Sequence, residues 1–168
     1  AVRVRALEAL SGRPLSPTVA PALRRLLDSE DRAIAALLLS RLRDRSAVPV
    51  LRAALRAGER PAETAAALRS MGDGEETARI ITQMLEDPVH APAGAVAARA
   101  LGDPAHAQLL LRLATGPEAQ RLAVLDAIGA MGRRAPLEAR KVVMHAMGDL
   151  SSKVRARAMR ACAGFGDA

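Results

Sequence analysis

The sequence of 168 residues contains no tryptophan, no tyrosine and a single phenylalanine, Phe165. Large buried aromatics anchor many β-sandwich cores, whereas closely packed small helices manage without them, so the deficit favours an all-helical chain. Cysteine is nearly as scarce. Cys162 stands alone, which excludes a disulfide framework and a cysteine-based metal site and suits a reducing compartment. The longest apolar run, Ala33 to Leu39, is far too short to span a bilayer. No five like charges follow one another, so there is no basic or acidic tail.

Half of the residues are hydrophobic, which argues against disorder although 26% are charged. Alanine, leucine and valine supply most of that share. The formal net charge is +7, a balance compatible with nucleic acid, an anionic surface or an acidic protein partner. The basic residues are mostly arginine and are interspersed with 18 acidic ones, as an arginine-rich proteome would also produce.

The two ends of the chain resemble each other. Residues 1–12 read AVRVRALEALSG and residues 153–164 read KVRARAMRACAG, an offset of 152 residues. Between them, segments ending in a large apolar residue recur at Leu10, Leu42, Met71, Leu101, Met131 and Cys162, in steps of 32, 29, 30, 30 and 31. Glycine or aspartate follows most of these anchors, and a second apolar stretch follows the turn: Ala47–Leu55, Ala78–Leu85, Ala107–Leu113 and Val142–Met147. A period near 30 with two apolar stretches predicts a helix–turn–helix unit.

Spacing within each segment agrees. The anchor and the positions three and four before it form one apolar stripe, as in Leu38, Leu39 and Leu42, or Ala127, Ile128 and Met131. Asp87-Pro88, Asp103-Pro104, the run Asp28–Asp31 and Ser151-Ser152 read as helix starts. Gly12, Gly72, Gly102, Gly132 and Gly164 suit left-handed caps.

Segments such as Arg41 to Leu51, and Ala100-Leu101-Gly102-Asp103-Pro104 followed by Leu109-Leu110-Leu111, resemble HEAT repeats. They are similar in particular to the short repeats of bilin-lyase-like bacterial proteins. Val2-Arg3 with Ala6, Ala9 and Leu10, and Val154-Arg155 with Ala158 and Ala161, match that repeat's second helix. The resemblance implies an all-α fold, a right-handed α–α superhelix (solenoid) of about five repeats, read as one domain over residues 1–168. At the valine–arginine position the four central repeats carry Ile34-Ala35, Glu63-Thr64, Ala93-Gly94 and Ala123-Val124. A continuous aspartate–arginine ladder through that position is therefore not expected. The chain begins in patterned sequence without methionine and reads as a fragment of a longer protein. Val2, Val4 and Leu7 at one end, and Ala161, Cys162 and Phe165 at the other, read as uncapped apolar surface.

Catalytic chemistry finds no support. His90, His106 and His145 occur singly, without a partner at i+4, and read as turn or polar-face residues. Cys162 occupies an anchor position and reads as a core residue. No nucleophile elbow or phosphate-binding glycine loop is present, and Glu75-Glu76 reads as a pair suited to a helix N-terminus. The expectation is a scaffold with no catalytic, cofactor or metal site.

In such a solenoid the second helix of each pair usually lines the concave face. Outward columns counted from the anchors nominate Leu37, Arg69, Val96, Arg99, Leu122, Asp126, Arg157 and Arg160. They predict a shallow groove with an apolar floor and arginine edges, whose partner is an acidic or amphipathic protein segment. Nonspecific contact with nucleic-acid phosphates, and a structural or regulatory role within a larger, possibly membrane, protein, are the alternatives. A cytoplasmic location, or the cytoplasmic part of a larger protein, fits these readings.

Overall fold

A computed structural model describes residues 14–166. The Leu10 anchor, Gly12 and the apolar residues Val2, Val4 and Leu7 lie outside them. Ten α-helices occur among the described residues, and no strand. They are α1 (Ala20–Arg25), α2 (Arg32–Arg41), α3 (Ala47–Arg56), α4 (Pro61–Ser70), α5 (Gly74–Glu86), α6 (Ala91–Leu101), α7 (Ala107–Leu113), α8 (Glu118–Met131), α9 (Leu137–His145) and α10 (Ser152–Ala163). Contacts divide the chain into two compact units, one ending at Thr77 and the other starting at Ala78. No described helix is long and apolar enough to cross a membrane.

The five described anchors all fall at helix ends. Leu42 and Met71 are the C-caps of α2 and α4, Leu101 and Met131 are the last residues of α6 and α8, and Cys162 is one residue from the end of α10. After four of these five anchors the chain turns through a residue of positive φ. Gly72, Gly102 and Gly132 have φ of +84°, +57° and +57°. A Cβ on Gly102 would also lie 2.7 Å from the Ala130 carbonyl oxygen, so conformation and space both demand glycine there. After Leu42 the same turn is made by Arg43, at φ +58°, at a cost of about 1 kcal/mol. Gly164, by contrast, has φ −72° and is no left-handed cap.

The helix starts were less regular than the spacing predicts. Ser151 caps α10 through the Val154 amide, and Asp103 accepts from the Ala105 amide at 2.9 Å. Asp103 opens a 3-10 turn, Pro104–His106, that leads into α7. Asp87-Pro88 starts no helix. Asp87 accepts from the Val89 amide at 2.9 Å and lies 2.6 Å from His90 Nδ1, and α6 begins only at Ala91. Helix α9 starts at Leu137, directly after Pro136, five residues before the expected stretch, because its inward positions are Ala139 and Val143. Helix α5 starts at Gly74, with Glu75 and Glu76 in its first turn where the helix dipole favours them.

In the first unit, Leu38, Leu39, Leu51, Leu55 and Leu68 are buried together with Ala35, Ala47 and Ala65. Its turns are tied by ion pairs. Arg24 of α1 donates to Asp44 at 2.7 Å, and Arg52 of α3 donates to Asp73 at 2.8 Å. Arg56, one turn further along α3, donates to Glu76 at 3.0 Å. These aspartates sit two residues after an anchor, and the arginines come from a helix outside the valine–arginine position. Two rungs of an aspartate–arginine ladder thus exist where the sequence pattern gave no reason to expect them.

In the second unit the buried side chains include Ile80, Ile81, Leu110, Val124, Ile128, Met131 and Val154. Helix α8 packs against both α6 and α10. His106 lies in a turn, one of the two places expected, at the end of Pro104–His106, but it is only 1% exposed, and its Nε2 lies 3.2 Å from the Ala78 carbonyl oxygen. Met159 is 58% exposed although the stripe placed it inside. The buried positions of α10 are Val154, Ala158 and Ala161, and residue 159 turns away from that face. At the C-terminal end Ala161 is buried and Phe165 lies 5.5 Å beneath the Arg140 guanidinium. Neither is the uncovered apolar surface that the sequence suggested.

Candidate binding cleft

The residues that come together do so on α6, α8 and α10 of the second unit. On α8, Asp126 and Gly129 are three residues apart and share a face. A Cβ on Gly129 would meet the Ala161 Cα and Cβ at 3.1 Å. Glycine therefore lets α8 and α10 approach closely at this level. On α10, Arg157, Arg160 and Ala161 follow the same i, i+3, i+4 spacing, and Arg99 projects from α6. With Leu125 these residues line a cleft of about 400 Å³.

Its electrostatics are lopsided. Asp126 Oδ2 accepts a hydrogen bond from Arg157 Nη1 and lies 3.8 Å from Arg99 Nη1. Arg160 donates weakly, at 3.4 Å, to the Ala156 carbonyl oxygen. Three guanidinium groups and one carboxylate thus line the cleft, two more positive charges than negative. Arg157 is the more enclosed of Asp126's two partners, at 30% exposure against 53% for Arg99, and its Nε is buried without an acceptor. Arg157 is held by Asp126, while Arg99 and Arg160 are exposed. Guanidinium exchanges no proton at neutral pH and offers planar pairs of donors. The chemistry available here is recognition of an anion, best one with the flat geometry of a carboxylate or a phosphate face.

Of the nominated residues, Arg99, Asp126, Arg157 and Arg160 line this one cleft. Val96 on α6 and Leu122 on α8 are half-buried in the same unit. Leu37, half-buried on α2, and Arg69, exposed on α4, belong to the first unit. Leu125 and Ala161, which form the floor, were not among the nominated positions. Leu125 falls six before its anchor, off the columns chosen, and Ala161 was read as part of the second-helix match and as a terminal apolar residue, not as a groove position. No signal in a single sequence marks the contact of Gly129 with Ala161, which is a distance between two helices.

The remaining reactive groups lie elsewhere. Cys162 is half-buried, and burial pushes its thiol above the ordinary range. His90 pairs with Asp87, and this contact, with the Val89 amide, outweighs the opposing effect of burial and holds that carboxyl below its usual range. No group of three or more histidine, cysteine or carboxylate side chains among the described residues is arranged to hold a metal ion. The fold and cleft define an all-α protein of paired helices. No family model matches the chain, and no curated protein does.

Proposed function

We propose that this chain is a non-catalytic interaction module built of HEAT-like helical pairs, and that the cleft of Arg99, Arg157 and Arg160 receives an acidic segment of a protein partner. The observation that carries this reading is the excess of two positive charges around Asp126. Arg157, fixed by Asp126, sets the register, and the exposed guanidiniums of Arg99 and Arg160 supply forked donors for successive carboxylates.

The test is a fluorescence titration with a labelled acidic peptide, alternating glutamate and alanine. Exchanging Arg99 and Arg160 together for glutamate should weaken binding at least about tenfold and leave the helical circular dichroism signal unchanged. Equal affinity for wild type and double variant removes the cleft from consideration.

The formal charge of +7 supports a second reading, contact with nucleic-acid phosphates. That reading requires a steep, linear loss of log affinity with log salt. A duplex that fails to bind at low salt eliminates it.

A further inference from the structure

The second unit has another concavity, on different residues from the arginine cleft apart from a shared wall at Leu125, with a volume of about 410 Å³. It is bounded by α7, α8, α9 and the start of α10. Its walls are Leu111, Val124, Leu125, Val142 and Val154. Val124, Leu125 and Val154 are at most 2% exposed, so the concavity reaches down to the core and is no surface dimple. The volume lies within the range of about 300–1,000 Å³ typical of small-molecule sites. Its origin is the composition. Positions 114 and 146, where α7 and α9 give way to the following turns, are both alanine, and no nearby aromatic side chain fills the space.

Polar side chains also line it. Arg121 Nε lies 3.0 Å from Asp149 Oδ2, its Nη2 donates to Asp149 Oδ1 at 3.1 Å, and its Nη1 donates to the Gly116 carbonyl oxygen at 2.8 Å. That pair is internally neutral. Lys141 and His145, one turn apart on α9, are exposed and also line the concavity. Among the described residues no carboxylate lies within ion-pair reach of Lys141. The site therefore combines an apolar interior with an exposed lysine at its mouth that makes no ion pair among the described residues.

We infer that this concavity binds a small amphiphilic carboxylate, with the hydrocarbon chain against the valine and leucine walls and the carboxylate on Lys141. A long-chain cation fails at the lysine, and a short carboxylate lacks the apolar contact. Neither requirement involves Arg99, Arg157 or Arg160, so the inference stands apart from the proposed acidic-peptide cleft.

The experiment is isothermal titration with decanoate, octanoate and decyltrimethylammonium, each below its micellar concentration. Decanoate should bind saturably with one site, about tenfold tighter than octanoate for two fewer methylenes, while the cation should not bind. Lys141→Glu, a change on an exposed side chain, should weaken decanoate at least about tenfold with the melting temperature unchanged. Ala114→Phe, which fills the concavity, should abolish binding, and Ala146→Leu provides the same test if the first variant does not fold. Absence of saturable decanoate binding, equal affinity for the decyl cation, or affinity unaltered by Lys141→Glu overturns the inference.

Discussion

The two units spend their arginines differently. In the first, Arg24, Arg52 and Arg56 pair with Asp44, Asp73 and Glu76, tying α1 and α3 to the turns after α2 and α4 and to the start of α5. In the second, Arg121 is likewise paired with Asp149, but Arg99, Arg157 and Arg160 line a cleft that holds one carboxylate, Asp126. One arrangement neutralises charge and fixes geometry; the other leaves charge over for a ligand. The same residue type thus serves architecture in one place and offers recognition in another. What decides is the local count of carboxylates.

The largest expected effect lies in the core that positions the cleft. Ile128→Ala, at a fully buried position of α8, should destabilise by about 2–5 kcal/mol, read by chemical denaturation. Gly129→Leu forces α8 and α10 apart against a contact already at 3.1 Å. It should cost about 1–3 kcal/mol and lower acidic-peptide affinity as well, since Asp126 and Arg157 would no longer meet. A variant with wild-type stability would show that the close approach is not needed.

Removing the acids separates the two roles directly. Asp126→Ala frees two guanidiniums and should raise affinity for the acidic peptide several-fold, with some loss of stability because Arg157 loses its partner. Asp73→Ala in the first unit should leave peptide binding unchanged and only lower the melting temperature. If both variants changed binding equally, the contrast between tied and surplus charge would fail.

The smallest effect concerns pH. Burial alone would raise the Asp44 carboxyl, but hydrogen bonds from the Ser46 hydroxyl and amide and from Arg24 prevail and hold it below its ordinary value of 3.8. Asp149 is lowered foremost by the Ser151 amide, with Arg121 adding to it against burial. A carboxyl depressed in the folded state contributes stability that is fully present above the ordinary value. That contribution is lost as pH falls through the lowered folded value. Melting temperature should therefore drop on acidification below about pH 4, and Asp44→Asn should flatten part of that drop. An Asp44→Asn profile parallel to wild type would show that the ion pair carries no linkage.

Helix existence and helix ends were legible in the sequence. The anchors, the apolar stripe and the glycine turns are local signals, and α2, α4, α6, α8 and α10 end where the anchors place them. Hydrophobic spacing at 3.6 residues per turn and the left-handed turn at glycine need no distant partner to be recognised. Four of the cleft residues, Arg99, Asp126, Arg157 and Arg160, were likewise found from register alone, because a fixed period repeats a helix face.

Tertiary structure decided the rest. The burial of His106, the exposure of Met159, the pairing of Arg24 with Asp44 and the closeness of Gly129 to Ala161 all depend on how one helix lies against another, which no local spacing encodes. The same holds for the charge left over around Asp126. Sequence counts arginines and aspartates along the chain, but only packing determines which of them share a dielectric environment and a few ångströms of space.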